Sequence, residues 1–378
     1  KNFKVIGNNI YFQADDGING KELWKSDGTS SGTVMVKDIN SGSSSSSPKN
    51  FAAMGNILYF SADTSTNGAE LWKSDGTSSG TVMVKDINIE GPPTANYGSL
   101  PFSLRTVGNT LYFSADDNTH GRELWKSDGT ASGTVMVKDI NNIDNDASRP
   151  DEFTAVGNTL FFRAYTEFFG YELWKSDGTE SGTIMVKDID GSAGGTGSFP
   201  NSLKAVGSTL YFLADDGVSG LELWKSDGTT SGTVMVKDIN NGSGSSSTAN
   251  FIHYKFTAIG DTIYFLPDDG IHGVELWKSD GTASGTVMVK DINIGGNDSS
   301  SGRIIAVGDA LYFRADDGFY GTELWMSDGT ANGTVMVEDI NSGSSGSSPG
   351  QLIAVGDSLY FRADDGINGV ELWRYSPL

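Results

Sequence analysis

Short runs of four to seven residues, rich in β-branched and aromatic side chains, recur along the chain, each bounded by Gly, Asn, Asp or Ser. The third copy of the pattern shows the order. Leu104 to Gly108 leads through Asn109-Thr110 into Leu-Tyr-Phe-Ser-Ala-Asp, a loop spans Asp117 to Gly121, and Glu123 to Ser127 follows. A turn at Asp128-Gly129-Thr130 then gives way to Thr134 to Ile140. These runs and breaks predict strands joined by hairpins. No apolar set recurs at helical spacing. Runs such as Leu111-Tyr112-Phe113 and Val135-Met136-Val137 are apolar without alternation, which predicts sheets covered on both faces.

The four-strand unit repeats. Glu-Leu-Trp occurs eight times and supplies every tryptophan: Trp24, Trp72, Trp125, Trp174, Trp224, Trp277, Trp325 and Trp373, spaced 48 to 53 residues apart. Four-stranded units at this period predict the blades of a β-propeller, whose isolated sheets gain stability by stacking around a closed ring. Blade limits fall near 1–40, 41–88, 89–141, 142–190, 191–240, 241–293, 294–341 and 342–378. The first three strands appear eight times, but the fourth (Gly-Thr-Val-Met-Val-Lys-Asp-Ile or close to it) appears only seven times, last at Gly333 to Ile340. The expectation is therefore an all-β, eight-bladed propeller of four-stranded antiparallel blades, the last lacking its outermost strand. That open edge of blade eight would be solvated or filled by a segment from another domain or subunit.

Glu-Leu-Trp-Lys-Ser-Asp-Gly-Thr at 22–29, with Tyr11-Phe12-x-Ala14-Asp15-Asp16-Gly17 before it and Gly32-Thr33-x-x-Val36-Lys37-Asp38-Ile39 after it, resembles the ELWxxDGT repeat family. Seven copies carry the whole Ser-Asp-Gly-Thr, and the eighth has Arg374-Tyr375-Ser376 instead. The resemblance covers essentially the full chain. It implies a part of a secreted or surface-attached bacterial protein with no common enzymatic function. Ser127-Asp128-Gly129-Thr130 is also similar to the Asp-box turn of sialidases. There, side-chain oxygens accept backbone amide bonds and Gly supplies positive φ, a structural role that is no evidence for glycoside cleavage.

Composition narrows the partners. The formal net charge of −22 opposes the basic footprint that nucleic acid binding needs, and it disfavours an anionic membrane surface. No stretch approaches the roughly 18 apolar residues of a membrane span. No basic, apolar leader stands at Lys1. The absence of cysteine excludes disulfides, thiolate metal sites and cysteine catalysis without fixing a compartment. Asn241, Asn297 and Asn332 begin Asn-x-Ser/Thr triplets, which chance accounts for in a chain this rich in Asn, Gly and Ser.

Candidate chemistry gathers on the loop face expected of propeller connectivity, where the second-to-third strand loop and the crossover to the next blade meet. Each blade would bring together equivalents of Asp116, Asp117, Glu123 and Asp139, often with an Asn such as Asn141. Such an oxygen-rich cluster suits Ca²⁺; its bland counterpart is acidic turns plus a cross-strand ion pair. If Ser26 faces Thr33, Trp24 faces Met35 and Glu22 faces Lys37; a register shifted by one residue sets Glu22 opposite Asp38 and favours a cation. Blade seven departs from the pattern, with Met326 and Glu338 where other blades have lysine. Blade-specific residues cluster at the loop tips: His120 with Arg122, Tyr165 with Phe168, Phe169 and Tyr171, His272, and Phe319 with Tyr320. Aromatic groups beside carboxylates suit sugar stacking or protein contact, although drifting surface loops also carry them.

Catalysis finds little support. His120, His253 and His272 are few and scattered, and the serines lie in low-complexity connectors such as Ser41 to Ser47, read as flexible loops. The arginines do not form the cluster a sialidase needs. The expectation is a non-enzymatic extracellular or cell-surface interaction or structural module that requires no cofactor and contacts protein or glycan through its loop face. The alternatives are a lectin-like propeller, with or without Ca²⁺, and an assembly unit joined through blade eight.

Overall fold

The computed structural model describes residues 3–89, 98–143, 146–191, 195–247, 256–300 and 302–376. These residues form 31 strands in eight antiparallel sheets, with no helix among them. Seven sheets have four strands paired in sequence order, and the last has three, Gly350–Val355, Ser358–Asp364 and Val370–Tyr375. The fold is that of an eight-bladed β-propeller whose final blade has no outermost strand among the described residues. The chain divides into two compact units, Lys1–Asp188 with Ser192–Gly197, and Ile189–Gly191 with Ser198–Leu378. The first carries blades one to four and the second blades five to eight.

Within each unit the apolar core lies between consecutive blades. Tyr11, Leu23, Val36 and Ile39 of blade one pack on Leu58, Phe60, Ala62 and Trp72 of blade two. The equivalent residues of blades two and three, and of blades six and seven, pack in the same way. This is why the sequence shows no alternation: one face of each strand meets the preceding blade and the other the following one. Lysines tie the blades further. Lys126 donates to Gly178 O and Lys138 to Thr183 O, both in blade four. Lys85, Lys237 and Lys290 lie 5.8, 5.4 and 5.6 Å from the tryptophan ring centroids of the following blades. Each thus adds a cation–π contact to its carbonyl bond.

The turn between third and fourth strands has the side-chain bonding expected of Ser-Asp-Gly-Thr. In blade three Ser127 Oγ accepts from Gly129 N at 2.9 Å, and Asp128 Oδ1 accepts from Thr130 N and Thr130 Oγ1 at 2.8 and 2.7 Å. Gly129 has φ of 90°, a conformation that costs a residue with a Cβ. The Thr hydroxyl, then the Thr amide, hold the Asp128 carboxyl below its ordinary range, as they do its counterparts Asp75, Asp177 and Asp280.

Of the two registers open to the third and fourth strands, the first holds as far as Trp24 and the one-residue shift applies beyond it. Ser26 bonds Thr33 and Trp24 faces Met35, but a bulge then places Leu23 opposite Lys37. The same shift occurs in each of the seven four-stranded blades. Glu22 therefore faces no lysine. The extra residue of a bulge re-aims side chains locally, and here it frees the glutamate to turn into the blade. Glu22 is fully buried, and it accepts from Ile39 N, Ser46 N and Ser46 Oγ at 2.9, 2.8 and 2.6 Å. Glu123 accepts likewise from Ile140 N, Ser148 N and Ser148 Oγ at 3.0, 2.8 and 2.5 Å. The buried carboxylate thus fastens the crossover segment to its own blade.

Those crossovers are built, contrary to the expectation of flexible serine loops. Ser46, Ser99, Ser148 and Ser347 are fully or almost fully buried and bonded to the glutamate of the preceding blade. In these four segments and at Ser198, the motif reads Ser-x-Pro. The residue before each proline and the second after it have positive φ: Ser47 and Asn50, Leu100 and Ser103, Arg149 and Glu152, Phe199 and Ser202, Ser348 and Gln351. Each second position opens a bulge at the start of a first strand, as between Lys49 and Ala52. Left-handed non-glycine residues are costly, and their recurrence at equivalent places makes them part of the repeat.

Blade seven's two departures follow from blade eight. The lysine equivalent to Met326 bonds, in other blades, a glycine carbonyl of the next Ser-Asp-Gly-Thr turn, and the lysine equivalent to Glu338 bonds a threonine carbonyl entering the next fourth strand. Blade eight has Arg374-Tyr375-Ser376 at that turn and no fourth strand among its described residues. Met326 instead packs in the cluster that holds Tyr375. Glu338, at a position where no threonine carbonyl stands ready for a lysine, is exposed. In blade eight Glu371 is exposed, and Leu372 is 77% exposed where Leu71, Leu124 and Leu223 are fully buried.

Two outcomes follow. Ser46→Ala, which strips a hydroxyl from a buried carboxylate, lowers stability by about 1–3 kcal/mol; Ser44→Ala, in the exposed part of the same connector, stays within about 0.5 kcal/mol. Urea denaturation of both variants checks this, and equal effects would restore the flexible-loop reading. The second outcome concerns pH. Burial, opposed by Ser and backbone hydrogen bonds, raises Glu70 and Glu123 from 4.5 to about 7, and Glu222 and Glu275 likewise. Between those values the folded chain binds more protons than the unfolded one, so stability rises as pH falls from about 8 to about 5. Below about pH 4 the turn aspartates, whose folded values are depressed, become protonated and stability falls again. Thermal melts across this range are expected to show a mildly acidic maximum; a midpoint that falls steadily from pH 8 to pH 5 would contradict the assignment.

Candidate functional site

Strand pairing places the second-to-third strand loops, the crossovers and the beginnings of the first strands at one end of each blade, as the pairing of Asp116 with Arg122 and of Ser114 with Phe102 shows. The acidic residues there are largely committed to the backbone. Asp15 Oδ1 caps Gly17 N, and Asp16 Oδ1 accepts from Ile18 N and Asn19 N, at 2.8, 2.9 and 2.8 Å. Asp116 Oδ1 accepts from Asn118 N at 2.8 Å. Asp117 Oδ1 accepts from Thr119 N and His120 N, and its Oδ2 meets His120 Nδ1 at 2.8 Å. His272 repeats that contact with Asp269. The aspartate bond is the largest cause raising both imidazoles above their ordinary value. His253 lies outside the described residues.

Of the four suggested Ca²⁺ ligands, Glu123 is closed off by the crossover bonds. Asp139 keeps one buried oxygen, Oδ1, without a hydrogen-bond partner, as do Asp38, Asp86, Asp238, Asp291 and Asp339. In blade four, where Tyr165 replaces the first aspartate, carboxylate oxygens of Glu172 and Asp188 lie within 4.8 Å of each other. A calcium ion takes about six to eight oxygens, of which each of these six blades offers one buried aspartate oxygen without a hydrogen-bond partner.

The tip residues separate into distinct groups. Phe168 and Phe319 stand out, 66% and 76% exposed, while Phe169 and Tyr320 are less so. Tyr165 and Tyr171 pack with ring centroids 5.2 Å apart, and the Arg163 guanidinium lies 5.3 Å from the Tyr171 ring. Arg163 is held by Asp151 through Nε–Oδ1 and Nη2–Oδ2 contacts of 2.8 and 2.6 Å. The aromatic cluster of blade four is thus braced by a bidentate ion pair that joins it to the first strand. Arg122 does not join His120 at the tip. It turns inward, its Nη1 donating to Leu100 O at 2.8 Å and more weakly to Ser114 O at 3.4 Å.

That inward turn brings Arg122 to two adjoining cavities of about 330 and 290 Å³ in the first unit, both lined by Arg122 and Phe102. Asp116, Arg149 and Asp151 line the larger, and Lys49, Asn50 and Leu100 the smaller. Phe102, Arg149 and Lys49 lie in the crossovers and first-strand starts, outside the repeated motif and the loop tips where the departures visible in the sequence gather. The Ser-x-Pro spacing carries the missing signal: the residues flanking the proline vary from blade to blade, Ser47 and Lys49, Leu100 and Phe102, Arg149 and Asp151.

No family model and no curated protein matches the chain. Among solved structures, the chain is similar to the computationally designed protein Ika8, at 14% identity and a TM-score of 0.51 over 99% of this chain and 95% of that one. It also aligns with a prolyl endopeptidase (12% identity, TM-score 0.48, 100% of this chain and 50% of that one). A third alignment is with a puromycin hydrolase (12% identity, TM-score 0.43, 87% and 52%). The chain therefore spans about half the length of those two enzymes. The likeness to Ika8 bears on fold alone, and the two weaker alignments bear on neither fold nor activity.

Because the acidic end is bonded largely to its own backbone, adding EDTA or millimolar Ca²⁺ is expected to move the thermal midpoint by less than about 1 °C, whereas a native-state ligand raises it. Scanning calorimetry checks this, and a midpoint that climbs with Ca²⁺ concentration would restore the cation reading.

Proposed function

We propose that the chain is a non-enzymatic, extracellular interaction module built from ELWxxDGT-type repeats, which contacts glycan or protein through the end where loops and crossovers meet. One observation carries the reading. The repeated polar residues are bonded within the fold: the glutamates to crossovers, the turn aspartates to neighbouring amides, and the lysines to the next blade. The side chains left exposed at that end, Phe102, Arg149, Phe168 and Phe319, differ from blade to blade. Repetition thus supplies the scaffold, and variation supplies the contact surface.

Several observations weigh against hydrolysis. His120 and His272 are each bonded to an aspartate three residues before them, on exposed loops, with no serine hydroxyl in hydrogen-bond contact with either ring among the described residues. Arg163 is spent on a bidentate pair with Asp151. Blade eight's three-stranded sheet leaves an edge to which another segment could add, but the exposed, blade-specific aromatics favour recognition at the loop end.

A glycan and protein-ligand array probed with the whole chain, with and without chelator, tests the proposal. Binding reduced by about tenfold or more in Phe168→Ala/Phe169→Ala or in Arg149→Ala, with unchanged melting, is expected. Binding that survives both variants, or turnover of a glycoside or peptide in place of binding, would overturn it.

A further inference from the structure

The two cavities of the first unit stand apart from the rest of this acidic molecule. The chain has 48 acidic residues against 26 lysines and arginines, and the repeated lysines are used between blades. Yet Lys49, Arg122 and Arg149 line adjoining cavities, and none of the three takes part in a salt bridge among the described residues. Arg149 is exposed, with φ of 49°, and its amide donates to Arg122 O at 3.0 Å, which keeps the two arginines side by side. Arg122 is anchored through Nη1 alone, leaving its other nitrogens free to donate. Burial lowers the basicity of Arg122, and the charge of Arg149 lowers it further against the pull of Asp116. Asp116 offsets part of this charge, and two cations held side by side still favour an anion between them.

The remaining walls give the ligand its shape. Phe102 is 51% exposed and lines both cavities, offering an aromatic face. The Asp151 carboxylate is already neutralised by Arg163. Asp116 uses Oδ1 on Asn118 N, leaving Oδ2 as an acceptor for a hydroxyl. Volumes of this size sit at the lower end of small-ligand sites. Cationic donors, a hydroxyl acceptor and a ring platform together match a sugar that bears a carboxylate. A polyphosphate or nucleic acid would gain from the arginines but meet Asp116 close by and a net charge of −22 over the whole surface.

We propose that the crossover end of blades two to four is a binding site for a carboxylate-bearing saccharide, with Arg122 and Arg149 on the carboxylate, Phe102 under the sugar ring and Lys49 on a neighbouring unit of the same glycan. The site deepens the interaction-module reading and rests on it, but it uses residues apart from the exposed Phe168–Phe169 tip.

The test is titration calorimetry of the whole chain with uronic-acid trisaccharides, their methyl esters, neutral trisaccharides of the same linkage, and inorganic phosphate. The acids are expected to bind, and the esters and neutral sugars to bind about tenfold or more weakly. Raising salt should weaken the acids selectively. Arg149→Ala, an exposed change that keeps the fold, should weaken acid binding by about tenfold. Arg122→Lys and Phe102→Ala should act in the same direction, with folding verified by unchanged melts, and Phe168→Ala should have no effect. The proposal is overturned if acid and ester bind equally, if phosphate competes as well as the acid, if Arg149→Ala binds normally, or if no acidic sugar binds at millimolar concentration. Ligand capture on the array that depends on Phe168 and Phe169 alone would sink this site while leaving the module reading intact. No blade-specific capture of any kind would remove both.

Discussion

The bond between each buried Glu-Leu-Trp glutamate and the crossover that leaves its blade is the constraint on which the rest of the architecture depends. A carboxylate with no exposure is expensive to bury unless its lone pairs are filled. Those of Glu22, Glu70, Glu123, Glu222, Glu275 and Glu323 are filled by the amide of the isoleucine ending the fourth-strand motif, together with the amide or hydroxyl of a buried crossover serine, or both. This fixes where the chain leaves one blade, and the proline and left-handed residues that follow fix how it enters the next. The apolar faces can then stack with the regularity the core clusters show. The bulge beside the tryptophan is the local device that makes the bond possible, because it removes the glutamate from the ladder position facing lysine.

Blades seven and eight show how closely sequence tracks contact. Where the next blade offers glycine and threonine carbonyls, a lysine reaches for each; where it offers neither, Met326 and Glu338 stand instead. Tyr312 follows the same logic. Its equivalents Tyr59 and Tyr112 lie against a glycine of the next turn, whereas its own ring packs 5.6 Å from Tyr375. These substitutions form one adjustment to a blade that carries Arg374-Tyr375-Ser376 in place of the Ser-Asp-Gly-Thr turn.

Most of the fold was legible in the sequence because it is written eight times: strand type, blade count, the Ser-Asp-Gly-Thr turn and the missing strand all follow from repeated spacing. The role of the glutamate was not legible, because a bulge of one residue changes what Glu22 faces and leaves no compositional mark. The serine connectors misled for a related reason: Ser44 and Ser46 look alike in a run of serines, and only burial distinguishes them. Of the candidate site, Arg122 and the aromatic tip of blade four were visible as departures from the repeat. Phe102 and Arg149 were hidden in crossovers of unequal length, where copies do not align by eye.

Native-state hydrogen exchange of the crossover amides tests the central claim most directly. Ile39, Ile140 and Ile239 follow the last paired residue of their fourth strands, so their amides have no ladder partner and are protected only if a glutamate holds them. The account predicts that these amides, with those of Ser46 and Ser148, exchange as slowly as the central strands, by opening free energies close to that of global unfolding. Exchange at the rate of exposed connector residues such as Ser44 would show that the glutamates do not hold the crossovers, and would contradict it.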